Sequence, residues 1–156
     1  MKKVVAFGSD HVGFALKNEL IDFLKDKYEI LDVGPHAYDA TDDYPDFAEA
    51  ASKAVASGKA WRGILVCGSG VGVSITANKV ASIRACLCHD TFSARQGVEH
   101  VNMNVLCLGA HIIGNLWAKE LVTAFLNADY PAVDKHQRRL NKLMAVEKRS
   151  LQDGQV

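Results

Sequence analysis

Little in this 156-residue sequence points outward. Lys plus Arg and Asp plus Glu both number 18, so the formal net charge is zero. No global field steers the chain toward nucleic acid or an anionic membrane surface, and any anion site must be built locally. No apolar run reaches the roughly 20 residues that cross a bilayer. The start Met1-Lys2-Lys3-Val4-Val5-Ala6-Phe7 holds too short an apolar stretch for a secretion signal, so a cytoplasmic location is expected. The four cysteines, Cys67, Cys86, Cys88 and Cys107, make neither a CxxC motif nor zinc-type pairs. Cys86 and Cys88 share one face of a strand by the period of two, and with Cys107 they read as buried, reduced filler. Internal repeats and low-complexity linkers are missing as well.

What is present is a regular alternation. Short apolar runs at Val4–Phe7, Ile30–Val33, Gly63–Val66, Ile83–Cys88 and Val105–Leu108 predict five largely buried strands. Between them, Phe14, Leu16, Leu20, Ile21 and Leu24 recur at helical spacing, and Phe47, Ala48, Ala51 and Val55 do the same. This pattern predicts an α/β fold of three layers, αβα, with a five-stranded parallel sheet. One domain over residues 1–150 is expected, ending in a helix with Leu140, Leu143 and Val146 on one face, then a frayed tail at 151–156.

In such a sheet ligands bind beyond the carboxyl ends of the strands. Five loops are selected by that rule: Ser9-Asp10-His11, Gly34 to Tyr44, Cys67 to Gly72, His89-Asp90 and Gly109-Ala110-His111. The third is Cys67-Gly68-Ser69-Gly70-Val71-Gly72, a thiol followed by three alternate glycines. Glycines let consecutive amides point into one concavity, where a phosphate or a developing oxyanion is stabilised. Known phosphate motifs fail here. A Walker loop needs a lysine after its last glycine, where this chain has Val73-Ser74; a dinucleotide fingerprint needs glycine at position 73. The arginine that closes a cysteine-phosphatase loop is also missing before Lys79. Phosphoryl transfer is unsupported, and what remains is a thiol above amides suited to a thiolate or an enediolate. A tight strand-to-helix turn with a packed cysteine fits the same letters.

Other candidates gather around it. Asp10 and His11 follow the first strand and lie beside Cys67 if the first and third strands are neighbours, although Ser9 and Asp10 also suit a helix cap. His100 is expected in a loop before the fifth strand, as a proton donor or as a solvated side chain. Lys135, His136, Arg138 and Arg139 make a basic cluster fit for a phosphate dianion or for a solvated helix face.

Together these segments resemble the ribose-5-phosphate isomerase B family, which includes the galactose-6-phosphate isomerase subunits. The resemblance runs from Ala6-Phe7-Gly8-Ser9-Asp10-His11-Val12-Gly13-Phe14 through Asp43-Tyr44-Pro45, the Gly63 to Gly72 stretch, Ala77-Asn78-Lys79, Ile83-Arg84-Ala85 and Asn104-Val105-Leu106 to His136-Gln137-Arg138-Arg139. It implies aldose–ketose isomerisation of a sugar phosphate without metal or cofactor, on a Rossmann-like sheet. It also implies a homodimer, or a dimer of dimers, whose sites use both chains. Cys67 then matches the base that moves a proton between C1 and C2, Ser69 the assisting hydroxyl, and His100 the ring-opening group. Asp10 matches a contact to ring or hydroxyl oxygens, and the amides of Gly68, Gly70, Val71 and Gly72 a cradle for enediolate oxygens. His11 and Arg139 match phosphate ligands, Arg139 from the neighbouring subunit, and Tyr44 joins the substrate-binding set. A glutamate-base branch of the family carries its base where this chain has Val73, which puts the chain with the cysteine users.

Three positions depart from the family pattern. Val101 replaces a common asparagine, so one hydrogen bond to the substrate or intermediate is either missing or supplied by Asn102, and His111 and Lys135 stand where arginines commonly bind phosphate. The expected substrate is ribose 5-phosphate or a related sugar phosphate, a tetrulose or hexose phosphate included; a sugar-phosphate binding module with weak turnover is the alternative.

Overall fold

The computed structural model describes residues 1–154. Five parallel strands, β1 (Val4–Ser9), β2 (Glu29–Asp32), β3 (Arg62–Cys67), β4 (Ala85–Leu87) and β5 (Val105–Gly109), form one sheet in the order β2-β1-β3-β5-β4. The helices are α1 (Phe14–Leu24), α2 (Tyr44–Ala56), α3 (Val71–Ala77), α4 (Thr91–Val101), α5 (Asn115–Asn127) and α6 (Asp134–Asp153).

Central strands buried on both faces need apolar residues on both faces, and β1, β3 and β5 meet that need almost without exception. Leu16, Leu20 and Leu24 of α1, Ala94 and Val98 of α4, and Leu121, Val122 and Phe125 of α5 pack with Phe7, Ile64, Leu106 and Leu108 on one face. On the other, Ala48, Ala51 and Val55 of α2 and Val73 and Ala77 of α3 pack with Ala6, Leu65 and Cys107. The three expected layers are present.

The two edges differ from expectation. β2 is only half-buried, and β4 keeps three residues of the six expected. An edge strand has one neighbour and less cover, so Cys86 is exposed rather than buried, while Cys88 and Cys107 are buried as expected. A hydrogen bond with Cys88 holds the Cys86 thiol down at about 6, and burial pushes the Cys107 thiol far above its ordinary range.

One buried ion pair ties the sheet to the long β2–α2 loop. Lys17 is fully buried on α1, and its Nζ donates to both carboxylate oxygens of Asp32, each at 2.7 Å, and to the Pro35 carbonyl at 2.9 Å. The apolar spacing of α1 gives no hint of it.

α6 lies at the amino edge of the sheet. Its Glu147 accepts from the Ser82 amide, and the His136 ring lies tilted against that of His100. Only Leu140 of the predicted apolar face is buried; Leu143 and Val146 stay exposed. The helix reaches Asp153, into the segment expected as a tail, of which residues 155–156 lie outside the described residues. Among the described residues no helix is long and apolar enough to cross a membrane.

Candidate active site

Strand order decides which loops meet. β1 pairs with β3 so that Ser9 lies opposite Val66, and β3 pairs with β5 so that Cys67 lies opposite Gly109. The loops after β1, β3 and β5 therefore converge at the carboxyl edge, where the strand order switches direction. The Asp10 amide donates to the Val66 carbonyl at 3.3 Å, and the Ala110 and His111 amides donate to the carbonyls of Cys67 and Gly68 at 2.8 and 2.9 Å.

Cys67 closes β3 with 4% exposure, and the Gly70 amide donates to its Sγ at 3.2 Å. Gly70 has φ of +80° and lies so close to β5 that a β-carbon there would meet the Leu108 carbonyl carbon at 2.9 Å. A side chain at 70 is thus excluded both by conformation and by space. Ser69 is exposed beside the thiol, with its Oγ accepting from the Val71 amide at 3.3 Å. Gly72 lets the Tyr44 ring approach the loop: a β-carbon at 72 would be 2.7 Å from ring carbons. Gly68 similarly admits the His111 ring, 3.2 Å from where its β-carbon would stand. The sequence-predicted Cys67, Gly68, Ser69, Gly70, Val71, Gly72, Tyr44, Asp10, His11 and His111 are accordingly brought to one edge.

Asp10 is buried and its Oδ1 accepts the Gly13 amide at 2.9 Å, but the N-cap of α1 is Gly13, without a side-chain cap, rather than Ser9 or Asp10. His11 has a partner that sequence reasoning missed. Asp42 Oδ1 accepts from both the His11 backbone N–H, at 2.9 Å, and Nδ1, at 2.7 Å. That hydrogen bond, with the nearby charges of Asp42, Asp10 and Asp39, raises the proton affinity of His11 above the ordinary histidine value, against a smaller desolvation effect. The signal for Asp42 was its place in the flagged Gly34 to Tyr44 loop; nothing local singles it out from Asp39 or Asp43. His89 was also missed, although its loop was flagged: Nε2 accepts the Gly109 amide at 3.0 Å, and burial lowers its proton affinity.

His100 is a correction. It lies in the last turn of α4, not in a loop, at the amino edge of the sheet, because α4 carries the chain back from the end of β4 to the start of β5. The five residues of β5 alone separate this edge from Cys67 by ~15 Å at about 3.3 Å per residue. Asn102 caps α4 with φ of +52°, and Lys135 and Arg139 are exposed on the first turns of α6. His136 lies against His100, ring centroids 4.1 Å apart; burial and the charges of His100, Lys135 and Arg139 lower its proton affinity. Within one chain, His100, Asn102, Lys135 and Arg139 are thus apart from Cys67. No group of three or more His, Cys, Asp or Glu side chains among the described residues has the arrangement to hold a metal ion.

Residues 5–143 match the Ribose/Galactose Isomerase family. Ribose-5-phosphate isomerase B of Escherichia coli (strain K12) is 44% identical over 150 residues, covering 96% of this chain and 99% of that protein. D-erythrulose-4-phosphate isomerase of Pectobacterium atrosepticum is 43% identical over 129 residues, 81% of this chain and 84% of that protein. The crystal structure of ribose-5-phosphate isomerase B from Mycoplasma genitalium with bound ribulose-5-phosphate superposes with a TM-score of 0.89 at 38% identity, over 95% of this chain and 98% of that one. The chain belongs to the ribose/galactose isomerase family.

Proposed function

We propose that the protein interconverts the aldose and ketose forms of a phosphorylated sugar, with Cys67 as the base. The carrying observation is the Gly70 amide donating to Cys67 Sγ in a tight turn whose glycines let Leu108, Tyr44 and His111 close around the thiol. A backbone N–H directed at the reacting sulfur stabilises negative charge that develops in this loop as a proton moves. The thiolate takes the proton from C2 of the open-chain aldose, the enediolate forms, and the proton returns to C1. Ser69, exposed beside the thiol, moves a proton between O1 and O2. Asp10 and Tyr44 border the sugar; His11 and His111 face the phosphate.

Ring opening needs a proton donor, and His100 serves only if it comes from a second copy, since no pentose phosphate spans the ~15 Å length of β5. The separation of the two residue sets supports a homodimer in which Asn102, Lys135 and Arg139 arrive with His100. Exposed Val71, Ile75, Leu87, Phe92 and Ile112 supply apolar surface for such a contact.

Pentose, tetrose and hexose phosphates incubated with the protein in heavy water and followed by NMR test the reading. Isomerisation with deuterium entering the carbon next to the carbonyl is expected for at least one. Saturable binding of these compounds with neither exchange nor isomerisation contradicts it.

A further inference from the structure

We propose that Asp42 is a positioning residue that fixes the His11 ring and keeps it a donor to the substrate phosphate. The inference rests on the sugar-phosphate reading above and adds a residue from the β2–α2 loop.

One oxygen of Asp42 binds both the backbone and the ring of His11, so the ring cannot turn without breaking a bond to the group that holds its own amide. Nδ1 is committed to the carboxylate, and Nε2 has no partner among the described residues. In the neutral ring with Nδ1–H, Nε2 carries a lone pair and repels an anion; only the charged ring presents N–H there. A carboxylate on Nδ1 favours that charged ring. The Asp42 side chain is 8% exposed and its Oδ2 is buried without a hydrogen-bond partner, so among the described residues His11 is the one basic group in ion-pair contact with it.

Asp39 and Asp42 come from the β2–α2 loop, Asp10 precedes His11, and the Tyr38 ring meets the imidazole edge-on at 6.1 Å. Asp10 is held by the Gly13 amide and Asp39 by Thr41, which leaves Asp42 as the carboxylate that touches the ring. The ring lies between Asp42 and the incoming phosphate, with the negative end of the pair turned into the protein.

The test is Asp42→Asn, which keeps an oxygen acceptor and removes the charge. Two readouts are followed from pH 5.5 to 9: the His11 ring by ¹⁵N NMR, assigned with His11→Gln, and KM and kcat with the active aldose phosphate, with inorganic phosphate as competitor. The His11 titration is expected to move to lower pH. Just above the ordinary value near 6.5, KM and the inhibition constant of phosphate rise roughly tenfold, one charge-assisted hydrogen bond's worth, while kcat falls far less. Below that pH the variant and wild type converge. An unmoved His11 titration overturns the pairing. A moved titration with KM and phosphate inhibition unchanged at every pH overturns the phosphate role of His11 instead, and a missing isomerase activity in the wild type refutes the underlying reading.

Discussion

The imidazole of His136 lies 4.1 Å, centroid to centroid, from that of His100, and both stand at the edge of the sheet opposite Cys67. If His100 opens the sugar ring, it does so in the neighbouring subunit's site. Mixing and refolding Cys67→Ala with His100→Ala protein tests this. Each mixed dimer would carry one site with both groups intact, so random pairing is expected to restore about a quarter of the wild-type rate from two inactive parents. No recovery in proven mixed dimers contradicts a shared site.

Gly70→Ala is expected to lose activity and stability together. Its φ of +80° and the 2.9 Å approach to the Leu108 carbonyl carbon leave a methyl no room, so the loop must move away from β5. Such strain costs on the order of 1–3 kcal/mol, readable in urea unfolding, with Cys67 losing its amide donor.

Lys17→Met is expected to destabilise the fold by roughly 3–5 kcal/mol, because it leaves the Asp32 carboxylate and the Pro35 carbonyl without their buried partner. Asp32 is partly exposed, which puts the loss toward the lower end of that range. A parallel drop in substrate affinity is expected, since the same contacts anchor the loop that holds Asp42.

Stability should also register the His11–Asp42 pair. The proton affinity of His11 is raised on folding, so its contribution is fully present below the unfolded value near 6.5 and is lost as pH rises through the higher folded value. The Tm difference between wild type and Asp42→Asn is therefore expected to be largest near pH 6 and to shrink toward pH 9. A gap that widens with pH contradicts the sign.

Much of this was legible in the letters, for physical reasons. Val4–Phe7, Gly63–Val66 and Val105–Leu108 are apolar on both faces because they are central, and that signal is strong. Cys86 was misread because burial on an edge strand depends on neighbours that sequence does not name. Cys67, Asp10 and His111 could be gathered by the rule for carboxyl ends of parallel strands. His100 could not be placed against them, because a helix running antiparallel to the sheet returns its last turn to the far edge. Asp42 and Lys17 escaped for a different reason: their meaning lies in partners 31 and 15 residues away, one in a loop without periodicity and one hidden inside an apolar helix pattern.

Cys67 is the group proposed to move the proton. With the sugar phosphate that the wild type isomerises, Cys67→Ala in heavy water tests it directly. The variant is expected to stay folded and to bind the sugar phosphate, with neither isomerisation nor deuterium incorporation at the carbon beside the carbonyl. Deuterium entering that carbon at the wild-type rate in Cys67→Ala would contradict it.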